Sequence, residues 1–172
     1  MVTRHTMSLV AASLLALLTG CATQKTPDGL PDLVPCKVTI TQSGAPVENV
    51  EVYLKNKNKE EGWATAGRTD ESGTAEMYSL GKYKGIPKGE YIVVLQKTVP
   101  DDPDAYKAAI EAIRAGQKPL RDHFKLYSVF DTKYNTEETS DLEVTVEKRT
   151  KESFDLGAPV QIEVGKITRE DL

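Results

Sequence analysis

From residue 34 onward apolar and polar positions alternate. In Val34-Pro35-Cys36-Lys37-Val38-Thr39-Ile40 the even-numbered side chains are apolar. After the turn signal Ser43-Gly44-Ala45-Pro46, Val50, Val52 and Leu54 alternate with Glu51, Tyr53 and Lys55. A period of two belongs to a strand with one face on a core and the other in water. The same reading predicts strands at Trp63–Arg68, around Ala75 and Met77, at Phe124–Phe130, at Leu142–Val146, around Phe154 and Leu156, and around Val160, Ile162 and Val164. Tyr91–Leu95 is apolar at every position, as a strand covered on both faces would be. Thr69-Asp70-Glu71-Ser72-Gly73 and the Gly/Pro-rich stretch from Gly81 to Gly89 read as turns and loops. One segment changes period. Asp102-Pro103 offers an N-cap and a first-turn proline, Tyr106, Ala109, Ile110 and Ile113 follow at helical spacing, and Gly116 supplies a stop. The expected fold is all-β: an antiparallel β-sandwich of about seven strands with one short helical insert at 103–115.

The N-terminal pattern is different. A weakly basic start at Arg4 and His5 leads into the apolar run Leu9–Leu18, then Thr19, Gly20 and Cys21. A ten-residue run, apolar but for Ser13, is too short for a membrane-spanning helix, which needs ~20, but it suits a secretory signal. The tetrad Leu18-Thr19-Gly20-Cys21 resembles a bacterial lipobox, in which the cysteine thiol receives a diacylglycerol and cleavage precedes it. This predicts a lipoprotein signal peptide at 1–20, lipid attachment at Cys21, a polar tether at 21–33, the sandwich at 34–165 and a tail at 166–172. Ala22 follows the cysteine; by resemblance to Gram-negative sorting rules, the absence of Asp there favours the outer membrane.

Charge narrows the partners. The chain carries a net charge of −4, and loss of residues 1–20 removes one cation, Arg4, and no acid. A moderately acidic chain argues against nucleic acid as a partner. No run of basic residues addresses anionic lipid, so the membrane attachment is expected to rest on the lipid alone. With Cys21 acylated, Cys36 has no partner in the chain, and its place beside Val38 and Ile40 predicts a buried, unreactive thiol.

Candidate chemistry is sparse. His123 has no neighbouring motif that supplies a second acid–base group, and is expected at the surface where a strand starts. Asp101, Asp102 and Asp104 lack the spacing of a calcium loop and sit where a helix begins, so capping is expected. Asp70, Glu71 and Ser72 read as turn chemistry. Zinc-type Cys/His spacing, a phosphate loop and a nucleophile elbow do not occur in the sequence, and no cofactor or metal is expected. Aromatics are the better ligand candidates. Trp63 and Tyr53 have flat faces suited to a sugar ring, with Tyr78, Tyr83, Tyr127 and Tyr134 as possible additions; strand-edge or core packing is the competing role for Trp63.

Three segments in order carry a family resemblance. They are Gly44-Ala45-Pro46-Val47-Glu48-Asn49-Val50-Glu51-Val52-Tyr53-Leu54, then Gly67-Arg68-Thr69-Asp70-Glu71-Ser72-Gly73-Thr74-Ala75, then Gly85-Ile86-Pro87-Lys88-Gly89-Glu90-Tyr91-Ile92-Val93. This pattern resembles carboxypeptidase regulatory-like domains, which are transthyretin-like sandwiches. The stretch Lys133–Val146 with Phe154-Asp155-Leu156 is similar to exported lipoproteins of this group from Planctomycetes-like bacteria. The resemblance implies a prealbumin-type or immunoglobulin-like sandwich, with the strand order left open, and a binding or structural role without catalysis. Transthyretin-related 5-hydroxyisourate hydrolases use several histidines and a Tyr-Arg-Gly-Ser ending. Here His123 is the one histidine after residue 20 and the sequence closes Thr168-Arg169-Glu170-Asp171-Leu172, so that activity is not expected. The expected function is a membrane-anchored lipoprotein whose sandwich binds an envelope protein or a polysaccharide; the alternative is a carbohydrate-binding or nutrient-handling surface module.

Overall fold

The computed structural model describes residues 27–58, 62–121 and 123–171. Cys21 and the segment 1–20 lie outside them. In chain order the strands are β1 (Leu33–Val34), β2 (Cys36–Gln42), β3 (Ala45–Pro46), β4 (Glu51–Asn56), β5 (Thr65–Arg68), β6 (Thr74–Glu76), β7 (Tyr78–Ser79), β8 (Tyr83–Lys84), β9 (Ile86–Pro87), β10 (Gly89–Gln96), β11 (Thr98–Pro100), β12 (His123–Ser128), β13 (Glu143–Val146), β14 (Thr150–Asp155) and β15 (Ile162–Thr168). One α-helix, α1 (Pro103–Arg114), separates β11 from β12. The fold is an all-β sandwich with a helix-bearing appendage.

Two sheets face each other across the core. The larger has the order β13-β10-β4-β5-β7-β8; the smaller runs β14-β2-β3, with β6 also paired to β2. Val38 and Ile40 of β2, Ala75 and Met77 meet Val52, Leu54, Tyr91, Val93, Leu95, Val144 and Val146 in one buried cluster. Each fully buried aliphatic side chain contributes roughly 1.5–3 kcal/mol. The sheets approach closely at Gly67, where a Cβ would lie 2.6 Å from the Glu76 carbonyl oxygen. Buried hydroxyls are satisfied by backbone: Thr69 Oγ1 donates to Val47 O at 2.7 Å and accepts from Val50 N–H at 2.8 Å, and the Tyr91 hydroxyl donates to Pro87 O at 2.8 Å.

Local signals explain the turns. Ser43 and Gly44 both have positive φ, at 49° and 79°, and join β2 to β3 in a two-residue hairpin. Asp70 Oδ1 accepts the Ser72 N–H at 2.9 Å, and Gly73, at φ 72°, has no room for a side chain. That pattern is turn chemistry, as read from the sequence. Val93, Val94 and Leu95 of β10 are all buried, because Val93 and Leu95 face the core between the sheets while the segment from Thr132 onward packs against β10 beside Val94. Cys36 is buried in the core, where burial, with a smaller contribution from Glu152, pushes its thiol from 9.0 up to about 11.

Three features differ from the sequence reading. First, β14 joins β2 in parallel, Cys36 opposite Thr150 through Thr41 opposite Asp155, so the sandwich is not antiparallel throughout. Second, β12 and β15 do not enter the sandwich. With β11 they form a separate three-stranded sheet, β11-β12-β15, beside α1. The insert is therefore larger than a helix, because an alternating pattern selects a face and not a partner sheet. Third, β15 runs to Thr168 and a 3₁₀ turn follows at Arg169–Asp171, so residues 166–168, read as tail, are strand. Helix α1 matches its expected bounds: Asp102 Oδ1 accepts the Ala105 N–H at 2.9 Å, and Gly116, at φ 70°, returns its N–H to Ile113 O.

Topology gives the body two ends. Strand β1 pairs with β9, so the segment leading from residue 27 meets the body where β2, β10 and β14 begin. The β11–α1–β12 excursion leaves from the opposite end, after Gln96.

A candidate ligand trough on the outer sheet face

The alternation that sends Val52 and Leu54 inward sends Glu51, Tyr53 and Lys55 outward on β4. Register places Gln96 opposite Glu51, Val94 opposite Tyr53 and Ile92 opposite Lys55. On the other side of β4, Arg68 faces Glu51 and donates Nε–H to its Oε1 at 2.8 Å. The 3₁₀ turn Thr132–Asn135 and the residues after it lie against this face, with Asn135, Thr136 and Glu137 bordering the depression over Tyr53 and Val94.

Four depressions line up on this face. One, of about 500 Å³, is bounded by Asn49, Glu51, Arg68, Gln96 and Asn135 near the appendage. The next shares Gln96 and Asn135 and adds Tyr53, Lys55 and Glu137. A third shares Lys55 and Glu137 and reaches Asn56 and Trp63. The last, of about 480 Å³, shares Asn56 and Trp63 and ends at Asp32, Pro87 and Lys88. The shared residues make one shallow polar trough along the sheet, from the appendage to the end where β1 enters.

Both leading aromatic candidates line it. Tyr53 is half-buried, with Lys55 Nζ 5.7 Å from its ring centroid. Trp63 is half-buried, outside the core cluster, on the wall common to two depressions. No family model, curated protein or solved structure matches this chain. The trough must therefore be interpreted from its own chemistry. It offers two aromatic surfaces, the amides of Asn49, Asn56, Gln96 and Asn135, and charges of both signs. Asn135 borders two of the depressions, and its Oδ1 is buried with no hydrogen-bond partner among the described residues.

The other aromatics do not join them. Tyr134, read as a possible ligand contact, is in the core with its ring edge-on to Phe130 at 6.5 Å. Tyr78 donates its hydroxyl to Glu76 Oε2 at 3.0 Å, Tyr83 lies under Lys82 in the β7–β8 region, and Tyr127 is on the appendage sheet. His123 is exposed at the first position of β12. Two of the aspartates near α1 are occupied locally: Asp102 caps the helix, and Asp101 pairs with Arg121 at 2.5 Å, which holds its carboxyl below the usual range; Asp104 lies in the first helical turn. Among the described residues no cluster of three or more His, Cys, Asp or Glu side chains is arranged to hold a metal, and no helix is long and apolar enough to cross a membrane. The trough amides carried no signal in the sequence, because polar residues at outward strand positions look like any solvated face.

Proposed function

We propose that this chain is an exported lipoprotein, anchored through Cys21 in the outer membrane, whose sandwich is a non-catalytic binding module with the trough as its ligand surface. The observation that carries the reading is the continuity of the trough, each depression sharing residues with the next. A shallow, open, polar surface suits an extended partner, either a segment of an envelope protein or a polymer. It lacks the enclosed apolar shape typical of small-molecule sites. The resemblance to carboxypeptidase regulatory-like domains points the same way. A photocrosslinking residue at Gln96 or Lys55 in living cells should give one dominant adduct that the same residue at Lys107 on α1 does not. Equal products from all three positions would remove the trough from consideration.

The carbohydrate reading is favoured by one specific feature, two half-buried aromatics flanked by amides in a single groove. It expects glycan-array binding that falls at least tenfold in both Trp63→Ala and Tyr53→Ala. The anchor is tested separately: Cys21→Ser should abolish labelling by a fatty-acid probe, and equal labelling in that variant would overturn the lipid assignment.

A further inference from the structure

The sequence contains no basic run, yet the fold assembles a basic surface. Register across the smaller sheet sets Lys151 of β14 beside Lys37 of β2, and Lys37 beside Glu76 of β6. Val38, Ala75 and Met77 point into the core, so Lys37 and Glu76 point outward. Lys84 reaches Glu76 Oε1 at 2.8 Å and Lys37 approaches the same oxygen at 3.7 Å. Arg149 lies close enough to Lys84 for their charges to repel. Lys82 and Lys148 stand exposed in the adjoining turns. Glu152, the acid next in sequence to Lys151, lies on the Cys36 side of its strand. Lys37, Lys82, Lys84, Lys148, Arg149 and Lys151 thus share these strands and turns with three acids, Glu76, Glu147 and Glu152, an excess of positive charge on an acidic protein.

This surface is at the end where the chain enters. Leu33 and Val34 pair with Pro87 and Ile86, two and three residues from Lys84, and Val34 O packs against Gly85. Residues 22–32 alone separate Cys21 from β1. A chain of that length reaches at most about 40 Å when fully extended, so an anchor at Cys21 keeps this end of the body within that distance of the membrane surface. Leu80, 41 % exposed at a positive φ of 54°, adds an apolar tip to the same end.

We propose that this assembled basic end docks on the anionic phospholipid headgroups of the leaflet that holds the anchor, setting the body upright with the appendage outward. The inference rests on the Cys21 anchor: the tether brings the patch to the surface, and the patch fixes orientation. Each cation near an anionic surface is worth roughly a fivefold preference, so a net excess of several gives a patch-down preference on the order of a hundredfold at low salt.

The test uses the full lipidated protein in vesicles of phosphatidylcholine, with or without phosphatidylglycerol at about one-third of the lipid. Acylation of Lys84 by a water-soluble active ester, read by mass spectrometry, should slow at least tenfold in the anionic vesicles and recover in 1 M salt. Lys107 and Lys118, on and after α1, should react equally in both. The combined exposed-site variant Lys37→Gln, Arg149→Gln, Lys151→Gln should lose the protection of Lys84. Equal Lys84 labelling in the two vesicle types, or protection that salt does not reverse, would overturn the proposal. Intact mass decides the anchor independently. Should the protein prove unacylated, cosedimentation with anionic and not neutral vesicles would still support the patch, and failure to do so would reject it.

Discussion

The sandwich body and its appendage are written in the same alternating code, and the code succeeds differently in each. In the body two sheets oppose one another, and Val38, Ile40, Val52, Val93 and Leu95 are sealed from water. In the appendage one three-stranded sheet lies beside one helix. Phe124 is sealed there, edge-on to Tyr106 at 5.2 Å and under the Arg121 guanidinium. Val160, Ile162 and Val164, near or on β15, stay 38, 37 and 42 % exposed. Alternation selects which side chains leave the solvent face, but burial requires an opposing layer wide enough to cover them. The body has that layer along its whole length and the appendage over part of it. Stability should therefore be unequal between them.

Substitutions can break this comparison in order of size. Leu95→Ala should cost about 2–5 kcal/mol and lower the midpoint of the whole body in chemical denaturation; a loss confined to one sheet would contradict a single cooperative core. Phe124→Ala, of similar intrinsic cost, should instead free the amides of β11, β12 and β15 to exchange while β2, β4 and β10 stay protected. Simultaneous loss in both regions would show that body and appendage are one unit. The Cys36 thiol probes the body alone. Its folded form keeps its proton to about 11 against 9.0 for an ordinary thiol, so stability is intact below pH 9 and falls as pH rises through 11. Cys36→Ala should remove a pH-dependent term on the order of 2 kcal/mol, seen as a flatter melting-temperature profile over that window. Ile162→Thr should change stability by less than about 0.5 kcal/mol, because its side chain is already wet; a larger loss would mean that this row is covered.

What was legible in the sequence was what neighbours in the chain decide. The facing of β2 and β4, the hairpin at Ser43-Gly44, the Asp70 turn and the Asp102–Gly116 limits of α1 all follow from local pattern and turn chemistry. What was not legible depends on residues far apart in the chain. Tyr134 enters the core because the turn that carries it packs against β10, which lies far earlier in the chain, and nothing nearby in sequence says so. The trough amides come from the loop before β4, from β4, from β10 and from the 132–137 segment, and the basic surface joins residue 37 to residues 84 and 149–151. Strand β15 carries a good alternating pattern, yet the sheet it joins was set by Phe124–Ser128 of β12. Of the site residues, Tyr53 and Trp63 were visible as types, while their common groove was not.

The parallel ladder between β2 and β14 has a mechanical consequence. Its two strands leave the sandwich at opposite ends, β2 continuing back through β1 at one and β14 leading on towards β15 at the other. Tension drawn between residue 33 and the appendage loads the six Cα pairs from Cys36–Thr150 to Thr41–Asp155 together, in shear, whereas a hairpin pulled from its open end peels one rung at a time. A pull along the long axis thus meets the sandwich in its most resistant direction, with the Asp155 carboxylate, which accepts the Ser43 and Gly44 amides at 3.0 and 2.8 Å, as a latch at the far end of that ladder.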